Sequence, residues 1–269
     1  MNYKILPLYA AVALLSFSSC KNRDKKASEN VQVEETSQGD SISQITIEPL
    51  LDSPAFSDAK LSLTAPSGDQ FSKNTIDFKF EVENYELGAQ TDKNEITKTL
   101  ANSDKGQHIH FIVDNNPYSA HYEPNFSKDF SEGTHHIVAF LSRSYHESVK
   151  NANSFVAKTI EVGNSPQRQS NVDLNKPTLI YSRPKGEYTG KDTQNLMLDF
   201  FLLNTELSEN GNYVKATING ESFEITKWQP YIIKGLPKGE VKIRLQLLDA
   251  DGKPIEGDYN DVTRNVSLK

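Results

Sequence analysis

The feature that most constrains this chain is a weak internal repeat. Leu61 to Phe71 reads LSLTAPSGDQF and Leu179 to Tyr188 reads LIYSRPKGEY, each a short apolar run closed by Pro-x-Gly and an aromatic. FKFEVENYEL from Phe78 is matched by LDFFLLNTEL from Leu198, and both end in Asn-x-Glu-Leu. GQHIHFIVD from Gly106 matches GNYVKATIN from Gly211, and GTHHIVAFL from Gly133 matches GEVKIRLQL from Gly239. The offsets of 118, 120, 105 and 106 residues keep their order and differ only through loop length. Such a period is too long for a solenoid and indicates two related domains of about 100 residues each.

Each copy reads as β. Val241, Ile243, Leu245 and Leu247 alternate with Lys242, Arg244 and Gln246, the pattern of a strand with one wet face. Val214, Ala216 and Ile218 alternate in the same way, and Asn219-Gly220 supplies a two-residue hairpin turn. Only Asn94 to Asn102 invites a short helix. The expected fold is all-β: two tandem immunoglobulin-like β-sandwich domains, over 44–164 and 165–269. With one Cys and one Trp in the chain, the Cys–Trp–Cys core of antibody domains is excluded, so the expectation concerns architecture alone.

Residues 1–19 have the parts of an export signal: Lys4, an apolar run from Ile5 to Leu15, then small residues. The run is too short to span a bilayer, which takes ~20 residues. The lone cysteine, Cys20, stands where a bacterial lipoprotein carries its acylated residue, although Phe17 replaces the usual Leu of that signal. The expectation is a lipid-anchored protein of the cell envelope, whose partner is the membrane. Lys21 rather than Asp after the cysteine favours the outer membrane, by analogy with lipoprotein sorting. Residues 20–43 are polar and read as a flexible tether. Net charge is −7, with 29 Lys+Arg against 36 Asp+Glu, which argues against nucleic acid as a partner.

All six histidines lie between His108 and His146, inside the first copy. Aligned on the second copy, Ile109, Phe111 and Val113 point inward, and His108 and His110 point outward. His136 also falls outward, on an adjacent strand, and His135 inward. His-x-His on a strand sets two imidazoles on one side with Cα atoms ~6.8 Å apart, a span that one metal ion bridges. His136, His121, His146 and Asp114 are candidates for further ligands. An imidazole site without thiolate suits Cu, Zn or Ni. The bland alternative is that outward histidines are solvated and His135 is hydrogen-bonded in the core.

The pattern Gly106-Gln-His-Ile-His-Phe-Ile-Val-Asp114, then His121, Gly133-Thr-His-His136 and His146, resembles an uncharacterised family of exported bacterial domains. That family is built on a Gly-x-His-x-His strand, a lone His, a Gly-x-His strand and a closing His. The resemblance spans about Leu61 to Val162. It implies a small β-sandwich with a His-rich site and no established activity.

Other binding chemistries are also legible. Ser142-Arg143-Ser144-Tyr145-His146 is loosely similar to the phosphate-binding turn of forkhead-associated sandwiches, with Arg143 and Ser144 as donors. Tyr118, Tyr122, Trp228 and Tyr231 follow equivalent hairpins, where exposed rings would stack on glycans. A purely structural envelope component, partnered by envelope proteins, is the remaining class. No nucleophile elbow, phosphate loop or dinucleotide fingerprint occurs, so the chain is expected not to be an enzyme.

Overall fold

The computed structural model describes residues 44–163 and 170–269. The expected signal at 1–19, Cys20 and the tether lie outside the described residues, as does the junction between 164 and 165. The described residues contain seventeen strands. The first is β1 (Thr46–Pro49). The first copy of the repeat supplies β2 (Lys60–Ala65), β3 (Gln70–Phe71), β4 (Thr75–Glu83), β5 (His108–Val113), β6 (Ser119–His121), β7 (Asn125–Asp129), β8 (Gly133–Ser142) and β9 (Phe155–Val162). The second supplies β10 (Thr178–Arg183), β11 (Gly186–Tyr188), β12 (Leu196–Leu203), β13 (Tyr213–Ile218), β14 (Glu221–Ile225), β15 (Tyr231–Lys234), β16 (Gly239–Leu248) and β17 (Asp261–Leu268).

The two copies match strand for strand. The first folds as a small sheet, β2-β4-β7, over a large one, β3-β9-β8-β5-β6. The second repeats this as β15-β12-β10 over β11-β17-β16-β13-β14. Both contain one parallel pair, β3 with β9 and β11 with β17. Both carry a cis peptide at the repeated proline, before Pro66 and before Pro184. Asn84 and Asn204, the shared Asn of Asn-x-Glu-Leu, both adopt left-handed backbone, at φ 54° and 53°. Asn tolerates that conformation better than most residues, which accounts for its place in both copies. The fold is thus all-β, with two immunoglobulin-like sandwiches. Asn94 to Asn102 contains one short 3-10 turn, Thr97–Thr99, and no α-helix.

One boundary moves. Residues 46–49, expected in the first sandwich, form β1 on the small sheet of the second, pairing with β15 from Thr46↔Lys234 to Pro49↔Tyr231. Ile45 is buried in the second core and Ile47 packs against it. The pairing also covers the open edge of β15, whose backbone groups would otherwise offer a template for association.

The two sandwiches share a seam, and both belong to one compact unit. Inward residues build two separate cores, one around Phe78, Phe111 and Ile137 and the other around Phe200, Leu245 and Val241. A third cluster joins the outer face of the first large sheet (Ile112, Val138, Phe140) to the outer face of the second small sheet (Ile180, Phe201, Leu203). Phe140 stacks on Phe201 with ring centroids 4.8 Å apart. Polar groups brace the seam as well. Asp199 of β12 is fully buried, accepts from the Ser148 backbone N–H (3.2 Å) and hydroxyl (3.1 Å), and pairs with Lys150.

Candidate metal centre

The seam decides what becomes of the histidines. His108 and His110 point outward from β5 as the repeat implies, but outward here means into the second sandwich. Both are fully buried, not solvated. His146 reaches the same point from the turn after β8, held in left-handed backbone at φ 73°. Such a conformation is uncommon for a residue with a side chain and persists where surrounding bonds over-determine it. Here the His146 N–H donates to the Arg143 carbonyl and the Arg143 N–H donates to the Glu147 carbonyl, closing a tight turn.

His108, His110 and His146 each present one ring nitrogen, and the three lie within 4.8 Å of one another. His110 Nε2 is 3.0 Å from His108 Nε2, and His146 Nδ1 is 3.2 Å from that same atom. Neighbouring ligand atoms on a metal with ~2.0–2.1 Å bonds to nitrogen stand about 3 Å apart. The far nitrogen of His108, Nδ1, donates to the Gly106 carbonyl at 2.8 Å, which fixes the tautomer and leaves Nε2 as a bare lone pair. That single lone pair faces two other ring nitrogens. It accepts one hydrogen at most, and His146 Nδ1 also lies 3.2 Å from the Tyr118 hydroxyl, whereas a cation at the point of convergence would be shared by all three rings. His110 Nδ1 lies 3.3 Å from the Ser182 hydroxyl of the second sandwich.

Gly106 has a reason to be glycine. Its φ is +84°, and a Cβ there would sit 2.1 Å from the Gly88 carbonyl oxygen. The backbone that orients His108 therefore requires a missing side chain.

Burial makes all three imidazoles poor bases. Desolvation holds His108 down to about 4 and pushes His110 and His146 well below the ordinary range, with nearby Arg183 and Lys185 adding repulsion. The nitrogens are neutral at pH 7, the state in which imidazole binds metal.

The remaining candidates are placed elsewhere. His136 lies in the seam but is engaged at both ring nitrogens, by Thr159 (3.0 Å) and Ser170 (2.7 Å), and stands outside the cluster. His121 stacks on Phe126 and bonds the Ser119 hydroxyl at 2.8 Å. Asp114 bonds His135 Nδ1 at 2.7 Å and accepts from the His136 backbone N–H at 2.8 Å, so it is a core partner of His135. Of the expected ligands, only His108, His110 and His146 come together.

Arg143 and Ser144 do not form an open phosphate site. Both are buried. The guanidinium is spent on Glu147 and on the carbonyls of Pro54 and Ser148, and the Ser144 N–H and hydroxyl are bonded to Thr91. Arg143 instead pins the turn that presents His146. Trp228 is half-buried, with its ring edge on Phe201 and its N–H on the Phe200 carbonyl. Tyr231 is buried with its hydroxyl on the Lys227 carbonyl, so both rings serve packing.

Tyr118 and Tyr122, expected as exposed glycan-stacking rings, instead pack against the cluster, Tyr118 buried, and residues of the second sandwich complete the surroundings. Tyr118 lies face to face on His110, with centroids 3.4 Å apart and planes 13° from parallel. Ser182, Arg183 and Lys185 come from the second sandwich. Arg183 and Lys185 align with Ala65 and Ser67 around the repeated proline, and this exchange of small residues for cations in one copy is the available signal.

No protein-family model matches this sequence, and no curated protein does. Solved structures similar to it include the fibronectin(III)-like modules of Clostridium thermocellum CbhA, at 13% identity and TM-score 0.27, covering 78% of this chain and 94% of that one. The Bacteroides ovatus mixed-linkage glucan locus protein SGBP-B, in complex with a heptasaccharide, is similar at 9% identity and TM-score 0.24, covering 78% and 70%. The central fibronectin-III array of RIM-binding protein is similar at 11% identity and TM-score 0.21, covering 78% and 69%.

Proposed function

We propose that this chain is an exported, lipid-anchored binding module of the cell envelope, and that its ligand is one divalent transition metal, Cu, Zn or Ni, held by His108, His110 and His146. One observation carries the metal reading. A buried imidazole with its tautomer fixed by Gly106 turns a lone pair toward two further imidazole nitrogens at 3.0 and 3.2 Å. Core histidines are ordinarily paired with hydroxyls, carbonyls or carboxylates, as His135 and His136 are. Three converging on each other suit a shared cation. Anchoring through Cys20 rests on the sequence signal alone.

Calorimetric titration of tag-free mature protein with Cu(II), Zn(II) and Ni(II) tests this reading. About one ion per chain should bind, binding should vanish in His108→Ala/His110→Ala, and it should persist in His121→Ala and His136→Ala. No uptake by the wild type, or unchanged uptake by the double variant, contradicts it.

A further inference from the structure

Resting on that reading, we infer that Tyr118 is the fourth ligand of the centre, binding the metal through its deprotonated phenol oxygen. The Tyr118 hydroxyl lies 3.2 Å from His146 Nδ1. His146 Nδ1 is in turn 3.2 Å from His108 Nε2, and that atom is 3.0 Å from His110 Nε2. The four donor atoms form a chain whose successive spacings all match neighbouring ligands on one small metal ion. Three imidazoles leave a four-coordinate metal one position short, and the phenol oxygen closes the row.

Charge gives a second, independent argument. The three histidines are neutral, and the cluster contains no carboxylate. Two cations from the second sandwich nevertheless stand over the Tyr118 ring, the Arg183 guanidinium carbon at 5.3 Å and Lys185 Nζ at 3.8 Å from its centroid. Their described polar partners are uncharged: the Tyr188 and Tyr118 hydroxyls for Arg183 and the Tyr118 backbone oxygen for Lys185. An anionic ligand offsets the charge of a divalent ion beside this pair, and the Tyr118 phenol is the group both cations already cover. On binding, the Tyr118 O–H bond breaks, its proton passes to solvent, and the oxygen donates an electron pair to the metal. No electron is transferred.

Tyr122 is the control. Its ring lies 5.0 Å from the His108 ring, but its hydroxyl is bonded to Ser103 at 2.7 Å. The experiment is optical titration of the tag-free mature chain with Cu(II), with bound copper counted by elemental analysis. Wild type should bind one copper with a visible phenolate-to-copper charge-transfer band. Tyr118→Phe, which keeps the ring on His110, should still bind copper but lose the band entirely, and Tyr122→Phe should keep it. Bound copper without the band, or a band unchanged in Tyr118→Phe, overturns the assignment of Tyr118 and leaves the three-histidine reading intact. Failure of the wild type to bind any copper, zinc or nickel overturns both.

Discussion

The two sandwiches have the same strands in the same order, and opposite sheets dry on the outside. In the first, the small sheet is wet: Asp77, Lys79, Glu81 and Glu83 line the outer face of β4, all exposed. Its large sheet is dry, with β5 and β8 buried on both faces. In the second, the small sheet is dry, because β12 reads LMLDFFLL and is buried throughout. Its large sheet is wet, with Lys242 and Arg244 exposed on β16. The difference shows how one fold, duplicated, acquires a site. A seam between unlike outer faces removes water from one strand of outward histidines, and the equivalent positions in the other copy, Tyr213 and Lys215, stay at the surface.

That contrast breaks most visibly with pH. In metal-free protein burial keeps His108 neutral down to about 4 and holds His110 and His146 well below the ordinary range, whereas unfolded histidine takes a proton near 6.5. The unfolded state then binds more protons below pH 6.5, so this stability is complete above 6.5 and is lost as pH falls toward 4. Each such group that titrates only on unfolding costs up to about 1.4 kcal/mol per pH unit inside that window. Denaturant midpoints at pH 7, 6 and 5 in the presence of a chelator check this, and His108→Gln/His110→Gln should flatten the slope. Next in size, Phe140→Arg places an unpaired charge in the seam and should cost about 4–5 kcal/mol, whereas Gln246→Arg, at the equivalent position of β16, should stay within about 0.5 kcal/mol. Asp199→Ala strips Lys150 of its buried partner and should cost about 3 kcal/mol. The smallest effect is expected at the exposed Arg244–Asp261 pair of the second sandwich, where Asp261→Ala should cost less than about 1 kcal/mol by the same thermal or denaturant measurement.

Much of this was legible in the residues. The repeat placed the strands, because Pro-x-Gly, Asn-x-Glu-Leu and the Gly-led strands each mark a backbone turn that both copies need. It also gave the orientation of His108, His110 and His135, since period-2 alternation is transferable between aligned strands. Exposure was not transferable. Outward does not by itself mean solvated, and the missing alternation in HIHFIV, HIVAFL and LMLDFFLL is the mark of strands buried on both faces. The identity of the third ligand was open for a different reason. His121, His136, His146 and Asp114 all lie near the site in sequence, and only tertiary packing separates those satisfied by hydroxyls and core partners from the one that converges. The addition of β1 to the second sandwich was illegible because an edge strand of four residues joins any open edge with a matching apolar pair.

The most direct test is a crystal structure of tag-free mature protein grown with Cu(II) or Zn(II), with anomalous scattering recorded at the metal edge. A single strong anomalous peak bounded by His108 Nε2, His110 Nε2 and His146 Nδ1 is the predicted result. An ordered water or no density at that point, or a metal seated instead on His121 or His136, would contradict it.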